Sequence, residues 1–140
     1  MSTKSKTIIV TIICAIAAFL LGPKLWPHSM EMGTPTSGQL PFFIILSGAE
    51  AVIFGLGVSF LTLGWKKAKE LSGRYGNKVI WSFFSLGWML ISWWPHDNLH
   101  GHIGMNLQKL LYIEYSFHFT LMIASVVVVW TLIGIVKKED

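Results

Sequence analysis

The chain has 140 residues, 53% of them hydrophobic and 13% charged, with a formal net charge of +4. A soluble domain carries about 25% charged residues to keep its surface hydrated, so an ordinary soluble globule is excluded. No basic stretch interleaved with aromatics stands outside the apolar runs, which excludes a nucleic-acid-binding surface of the usual kind.

The first apolar run covers residues 7–22 and follows Lys4 and Lys6, as the apolar core of a signal peptide would. No small-x-small cleavage pattern follows it, and Ile13 stands where a lipoprotein site needs a small residue before Cys14. The run is therefore expected to be a retained helix, extended by Leu25 and Trp26. Cys14 is the only cysteine, so neither an internal disulfide nor a thiolate metal cage can form. It reads as a small buried residue.

The stretch "PKLWPHSMEMGTPTSGQLP" comes next, and its prolines, glycines, serines and threonines predict an irregular loop. The second run, residues 40–65, reaches ~40 Å as a helix, more than the ~30 Å hydrocarbon core. It is expected to tilt or project. Gly48, Ala51, Gly55 and Ser59 recur on one face of it, a small-residue stripe against which another helix can pack closely. "KKAKELSGRYGNK", residues 66–78, reads as a short, basic, solvated turn.

The third run, residues 79–94, is shorter, ~24 Å, and is capped by Pro95 beside Trp93 and Trp94. Ser82, Ser85 and Ser92 make a weaker packing stripe along it. A second loop, residues 95–109, holds "HDNLHGH". The fourth run, residues 110–136, again exceeds the hydrocarbon core in length. There is no internal repeat and no low-complexity tract. The expected architecture is an all-α integral membrane protein, one domain spanning 1–140, folded as an up-down-up-down bundle of four transmembrane helices.

Nine of the eleven Lys and Arg residues lie at the two termini and in the 66–78 segment; Lys24 and Lys109 alone fall in the other two loops. The positive-inside bias then places both termini in the cytoplasm and both histidine-bearing loops on the outer face, with the plasma membrane as the expected location. The positive charge serves topology and anionic lipid.

With that orientation, the ionisable groups gather in the outer half. Glu50 lies ~15 Å from the outer start of its helix, Glu114 ~6 Å and His118 ~12 Å from theirs. His96, Asp97, His100 and His102 sit at the interface and His28 in the first loop. A charged group at the centre of a membrane helix costs ~2.5–3.5 kcal/mol on insertion scales, so such residues need partners or a use. Glu114 and His118, four apart, share a helix face. His96 and His100 share one only if a helix resumes after Pro95, which a proline in the first turn permits. A mutually satisfied Glu50–Glu114–His118 trio, with the loop residues meeting headgroups, is the purely structural alternative.

Imidazole with carboxylate suits zinc, copper or iron, and thioethers favour cuprous ion. His96, Asp97, His100, His102, Glu114 and His118 are therefore the candidate metal ligands, with His28, Met30, Met32 and Met105 as weaker ones. Copper is the first expectation because of the methionines, with zinc or iron as alternatives. Bis-histidine haem is disfavoured, since only His118 lies well inside the membrane, and five histidines are too few for a histidine-box di-iron hydroxylase. The expected function is an accessory metal-bearing subunit of a larger membrane oxidase or monooxygenase, with lipid and other membrane subunits as partners. The alternatives are a self-contained enzyme using Glu50, Glu114 and His118 as acid and base on a lipid-like substrate, a proton-linked carrier, and a structural subunit.

Overall fold

The computed structural model describes residues 1–139, apart from the side chains of Met32, Lys138 and Glu139. All regular structure among the described residues is helical: α1 (Thr3–Leu25), α2 (Leu40–Tyr75), α3 (Lys78–Ile91), α4 (Trp93–Ile103) and α5 (Leu107–Glu139), with one 3₁₀ turn at Met30–Met32. Three helices are long and apolar enough to cross a membrane: Thr3–Leu25, Leu40–Tyr75 and Leu107–Lys137. Their outward faces carry Ile13, Leu20, Ile45, Val52, Tyr115, Met122, Val126 and Trp130, all exposed. In water such faces would drive association; in lipid they are ordinary.

The small-residue stripe on α2 does what its spacing predicts at three of its four positions. A Cβ on Gly55 would sit 2.3 Å from the Thr11 carbonyl oxygen, so only glycine lets α1 approach this closely. Ala51 and Ser59 are buried, and the Ser59 hydroxyl hydrogen-bonds that of Thr11 at 3.0 Å. Gly48 has open space where a Cβ would be and takes no part.

Helix α2 runs ten residues beyond the expected boundary, through most of the predicted 66–78 turn. Lys66, Lys67, Ala68, Lys69, Glu70 and Leu71 are all good helix formers, and Lys67 pairs with Glu70 at 2.9 Å. The helix stops where Gly76 takes φ +93°, a conformation that suits glycine alone. Helix α3 then packs back on α2: Gly87 lies against Leu61 and Gly57 against Leu90 and Ile91. Phe60 and Phe83 stack with centroids 4.7 Å apart. Helix α5 is tied to α3 by Thr131 Oγ1 donating to the Lys78 carbonyl at 3.1 Å and Trp88 Nε1 donating to Thr120 Oγ1 at 3.0 Å. The extensive contacts therefore follow the order α1–α2–α3–α5.

The larger departure from expectation lies at 95–109, which is helix rather than loop. Pro95 removes the N–H that would bond the Ile91 carbonyl, and its ring crowds that oxygen. The rod accordingly breaks at Ser92 and restarts as α4 with Pro95 in its first turn, where N–H groups lack helical partners anyway. Gly104, at φ +65°, ends α4. Asn106 then caps α5, its Oδ1 accepting from the Lys109 N–H at 3.1 Å. Three residues join the two helices, so α4 folds back directly along the start of α5.

Candidate metal centre

Because α4 is helical, His96 and His100 lie one turn apart on one face, with ring centroids 4.6 Å apart. The tight turn at Gly104 brings Glu114, two turns into α5, against that face. His100 Nε2 hydrogen-bonds Glu114 Oε1, and His96 Nε2 stands 3.5 Å from the same oxygen. The nearest ligand atoms of His96, His100 and Glu114 all fall within 4.8 Å of one another, a spacing at which one metal ion can reach all three.

His118 adds a fourth group. Its Nδ1 lies 2.9 Å from Glu114 Oε2 and 2.9 Å from the Glu114 carbonyl oxygen. With Nδ1 engaged on α5 and the ring largely exposed, His118 orients the carboxylate more than it closes the cluster.

His96 is the buried member. Its ring stacks on Phe117 at 3.8 Å between centroids, and its side chain is only 11% exposed. Nε2 is buried with no hydrogen-bond partner, and the opposite nitrogen, Nδ1, lies 3.3 Å from Asp97 Oδ1. Asp97 in turn lies beside the buried Glu50 of α2. Burial holds the His96 imidazole below its ordinary pKa, and the nearby His100 adds to this; Asp97 and Glu114 oppose it. A neutral His96 with a bare Nε2 carries a lone pair that can accept a hydrogen bond or bind a metal ion.

Of the residues singled out from sequence, His96, His100, Glu114 and His118 come together, and Asp97 backs His96. His102 is drawn away: its Nδ1 engages the Pro27 carbonyl at 2.8 Å and its ring is exposed on the opposite face of α4 from the cluster's approach to α5. His28 packs over Gly101 and edge-on to Phe43 instead of joining the cluster. Glu50 meets Asp97, not the expected pair of Glu114 and His118. Met30 is 98% exposed and Met105 is exposed too; the Met32 side chain lies outside the described residues. Sequence reasoning did not single out Phe117, and took Ser92 only as part of a helix-packing stripe. Phe117 is adjacent to His118 and turned inward, and Ser92, four residues before His96, has a buried hydroxyl without a partner. Only the periodicity of a helix running through Pro95 would have pointed to Ser92.

No protein-family model, curated protein or solved structure matches the chain.

Proposed function

We propose that the chain is a four-span integral membrane protein that binds a divalent transition-metal ion through His96, His100 and Glu114 at its outer face. The fourth span would be α3 continued to Trp94 at the start of α4, ~26 Å, a little short of the ~30 Å hydrocarbon core and bordered by Trp93 and Trp94. The up-down course and cytoplasmic termini follow from the distribution of Lys and Arg. The observation that carries the metal reading is the buried, unpartnered Nε2 of His96, aimed at the carboxylate that His100 also engages. Buried polar atoms are seldom left alone, and an ion at that point would satisfy this one.

Two imidazoles and a carboxylate form a nitrogen–oxygen set that binds divalent copper most tightly in the Irving–Williams order, with zinc and iron(II) behind. Copper therefore stays the first choice, now as the divalent ion, because the thioethers of Met30 and Met105 stand exposed. The metal-bearing chain works, on this reading, as one subunit of a larger membrane oxidase or monooxygenase that supplies its electrons. An acid–base enzyme built on Glu50, Glu114 and His118 is less well supported, since Glu50 meets a different residue of α4.

Elemental analysis of protein purified in detergent, followed by titration of the stripped protein with Cu²⁺ and Zn²⁺, tests the reading. One equivalent of tightly held ion is expected, released as pH falls below ~6 because protons compete for imidazole near its pKa of ~6.5. Wild-type protein that takes up neither ion would end it. Single-cysteine labelling at Ser2 and Thr36 in a Cys14→Ser background tests the orientation. Outside reagent should reach position 36 and not position 2.

A further inference from the structure

Helix α4 is held in place differently from its neighbours. Helices α2 and α3 sink Ala51, Gly55, Ser59, Ser82 and Phe83 into the protein, whereas no residue of α4 is buried as a whole. Aromatic rings from elsewhere in the chain grip only its first turn. Trp94 meets Phe54 and Trp26, while Trp93 and His96 meet Phe117. That turn and its cap also carry two buried polar atoms without a partner, Ser92 Oγ and His96 Nε2. Such atoms weaken the packing around them.

Beyond the first turn the ties are few. Asn98 rests on Gly22 of α1. Two hydrogen bonds reach the mostly exposed first loop: His102 Nδ1 to the Pro27 carbonyl, and the Ser29 N–H to the Gly101 carbonyl, each 2.8 Å. The tie to α5 is one carboxylate, Glu114, set against His96 and His100 across the turn at Gly104.

Resting on the metal reading above, we infer that the ion is a latch that fastens α4 to α5. Helix α4 has a break at each end, at Ser92 and at Gly104 with its φ of +65°, so it can open while α3 and α5 stay formed. Segments with few buried contacts open first. An ion ligated by His96 and His100 from one helix and Glu114 from the other is lost when either side opens. Its binding free energy therefore adds to the cost of opening both segments. A wall of a groove of about 700 Å³ depends on the same latch. Phe42, Phe43 and Leu46 of α2 line one side of that groove, and Asp97, Asn98 and Gly101 of α4 the other. With the ion in place the α4 wall stays shut; without it the wall opens and recloses.

Hydrogen–deuterium exchange of the purified full-length protein tests the latch, first stripped of metal and then with Zn²⁺. Elemental analysis of the same samples measures uptake. At free Zn²⁺ about a hundred times its Kd, binding makes opening about a hundred-fold rarer. Amides of 97–103 and of 108–114 should then slow by about ten-fold or more, and those of 80–90 in α3 by less than about two-fold. Glu114→Gln at the same Zn²⁺ concentration should lose the slowing in both segments. Zinc uptake with slowing confined to 97–103 would mean a clip within α4 and would overturn the latch. Zinc uptake with no slowing, or with equal slowing along α3, would overturn it too and leave the metal centre standing. Failure of wild-type protein to take up Zn²⁺ or Cu²⁺ would remove both readings.

Discussion

The two ends of the helix assembly are closed by different means. At the end where α2 turns into α3, closure comes from shape and backbone: Phe83 among Phe60, Trp65 and Phe84, and the Thr131 hydroxyl on the Lys78 carbonyl. At the end where α4 turns into α5, titratable side chains make the contacts: histidine on glutamate, histidine on aspartate, aspartate on glutamate. Both buried side-chain polar atoms left without a partner among the described residues, Ser92 Oγ and His96 Nε2, belong to this second end. So does the groove. Helix packing in lipid relies on small residues and close backbones, to which the first end adds aromatic rings and the second adds ionisable side chains.

The largest effect should come from the packing itself. Gly55→Leu places a side chain where the Thr11 carbonyl stands 2.3 Å from the Cβ position. A backbone oxygen cannot rotate away, so α1 and α2 must part, at a cost at or above the usual 1–3 kcal/mol of overpacking, about. Gly48→Ala, on the same stripe, meets nothing within 4 Å and should be neutral or gain about 0.5–1 kcal/mol from a stiffer helix. Thermal melts in one detergent compare the two. Equal losses at both positions would show that the stripe is not read residue by residue.

Next come the ligands. Glu114→Gln and His100→Gln should each weaken divalent-metal affinity by more than the 10–100-fold typical of residues behind a ligand, with little change in melting temperature of the stripped protein. His102→Gln, whose ring is turned to the Pro27 carbonyl, should leave affinity within about two-fold of wild type. Competitive titration against a chromophoric chelator separates these outcomes. A loss at His102 as large as that at His100 would mean that the cluster is drawn in the wrong place.

How much of this was legible in the sequence differs between the ends in the same way. Apolar runs and a small-residue stripe are local patterns, and three membrane helices and the α1–α2 contact could be read from them directly. Charge and glycine in "KKAKELSGRYGNK" read locally as a turn, yet its run of helix formers carries α2 on to Tyr75. The histidine stretch was harder. Pro95 suggested a stop, yet a proline three residues after a break opens a helix as readily as it closes one. Once α4 is a helix, the pairing of His96 and His100 follows from spacing. That Asp97 meets Glu50 and that His102 turns to Pro27 depend on how α4 leans against α2 and the first loop. No local pattern encodes that lean.

Acid should weaken the second end before the first. Burial, with His100 adding, lowers the folded pKa of His96, while Asp97 and Glu114 oppose it. As pH falls, the unfolded chain therefore takes up this proton before the folded one does. The stability owed to a neutral His96 is complete above the unfolded value of ~6.5 and is lost as pH drops from there through the lower folded value. Asp97, His100, Glu114 and His118 all face the same ring, so the contribution is read as a difference. Metal-free wild type should melt lower at pH 5.5 than at pH 7.5, and His96→Gln should show a shallower slope. An unchanged slope would mean that His96 is not the buried neutral group the structure shows.

The smallest effect sharpens the contrast between two glutamates on one helix. Glu70 pairs with Lys67 at 2.9 Å, but both side chains are well exposed, at 65% and 70%. Water and salt screen such a pair and two long side chains must be held to make it, so exposed helical pairs contribute about 0.3–0.5 kcal/mol. Glu70→Ala should therefore move the melting temperature by about a degree or two, less in high salt. Glu50 is 8% exposed and lies beside Asp97. Its replacement by alanine leaves Asp97 without that partner beside His96 and should cost about 1–3 kcal/mol. The Glu50 loss should not respond to salt, because ions screen buried groups weakly. If both substitutions gave the same small, salt-sensitive shift, Glu50 would be a solvated residue like Glu70, and the polar end would owe nothing to its buried carboxyl.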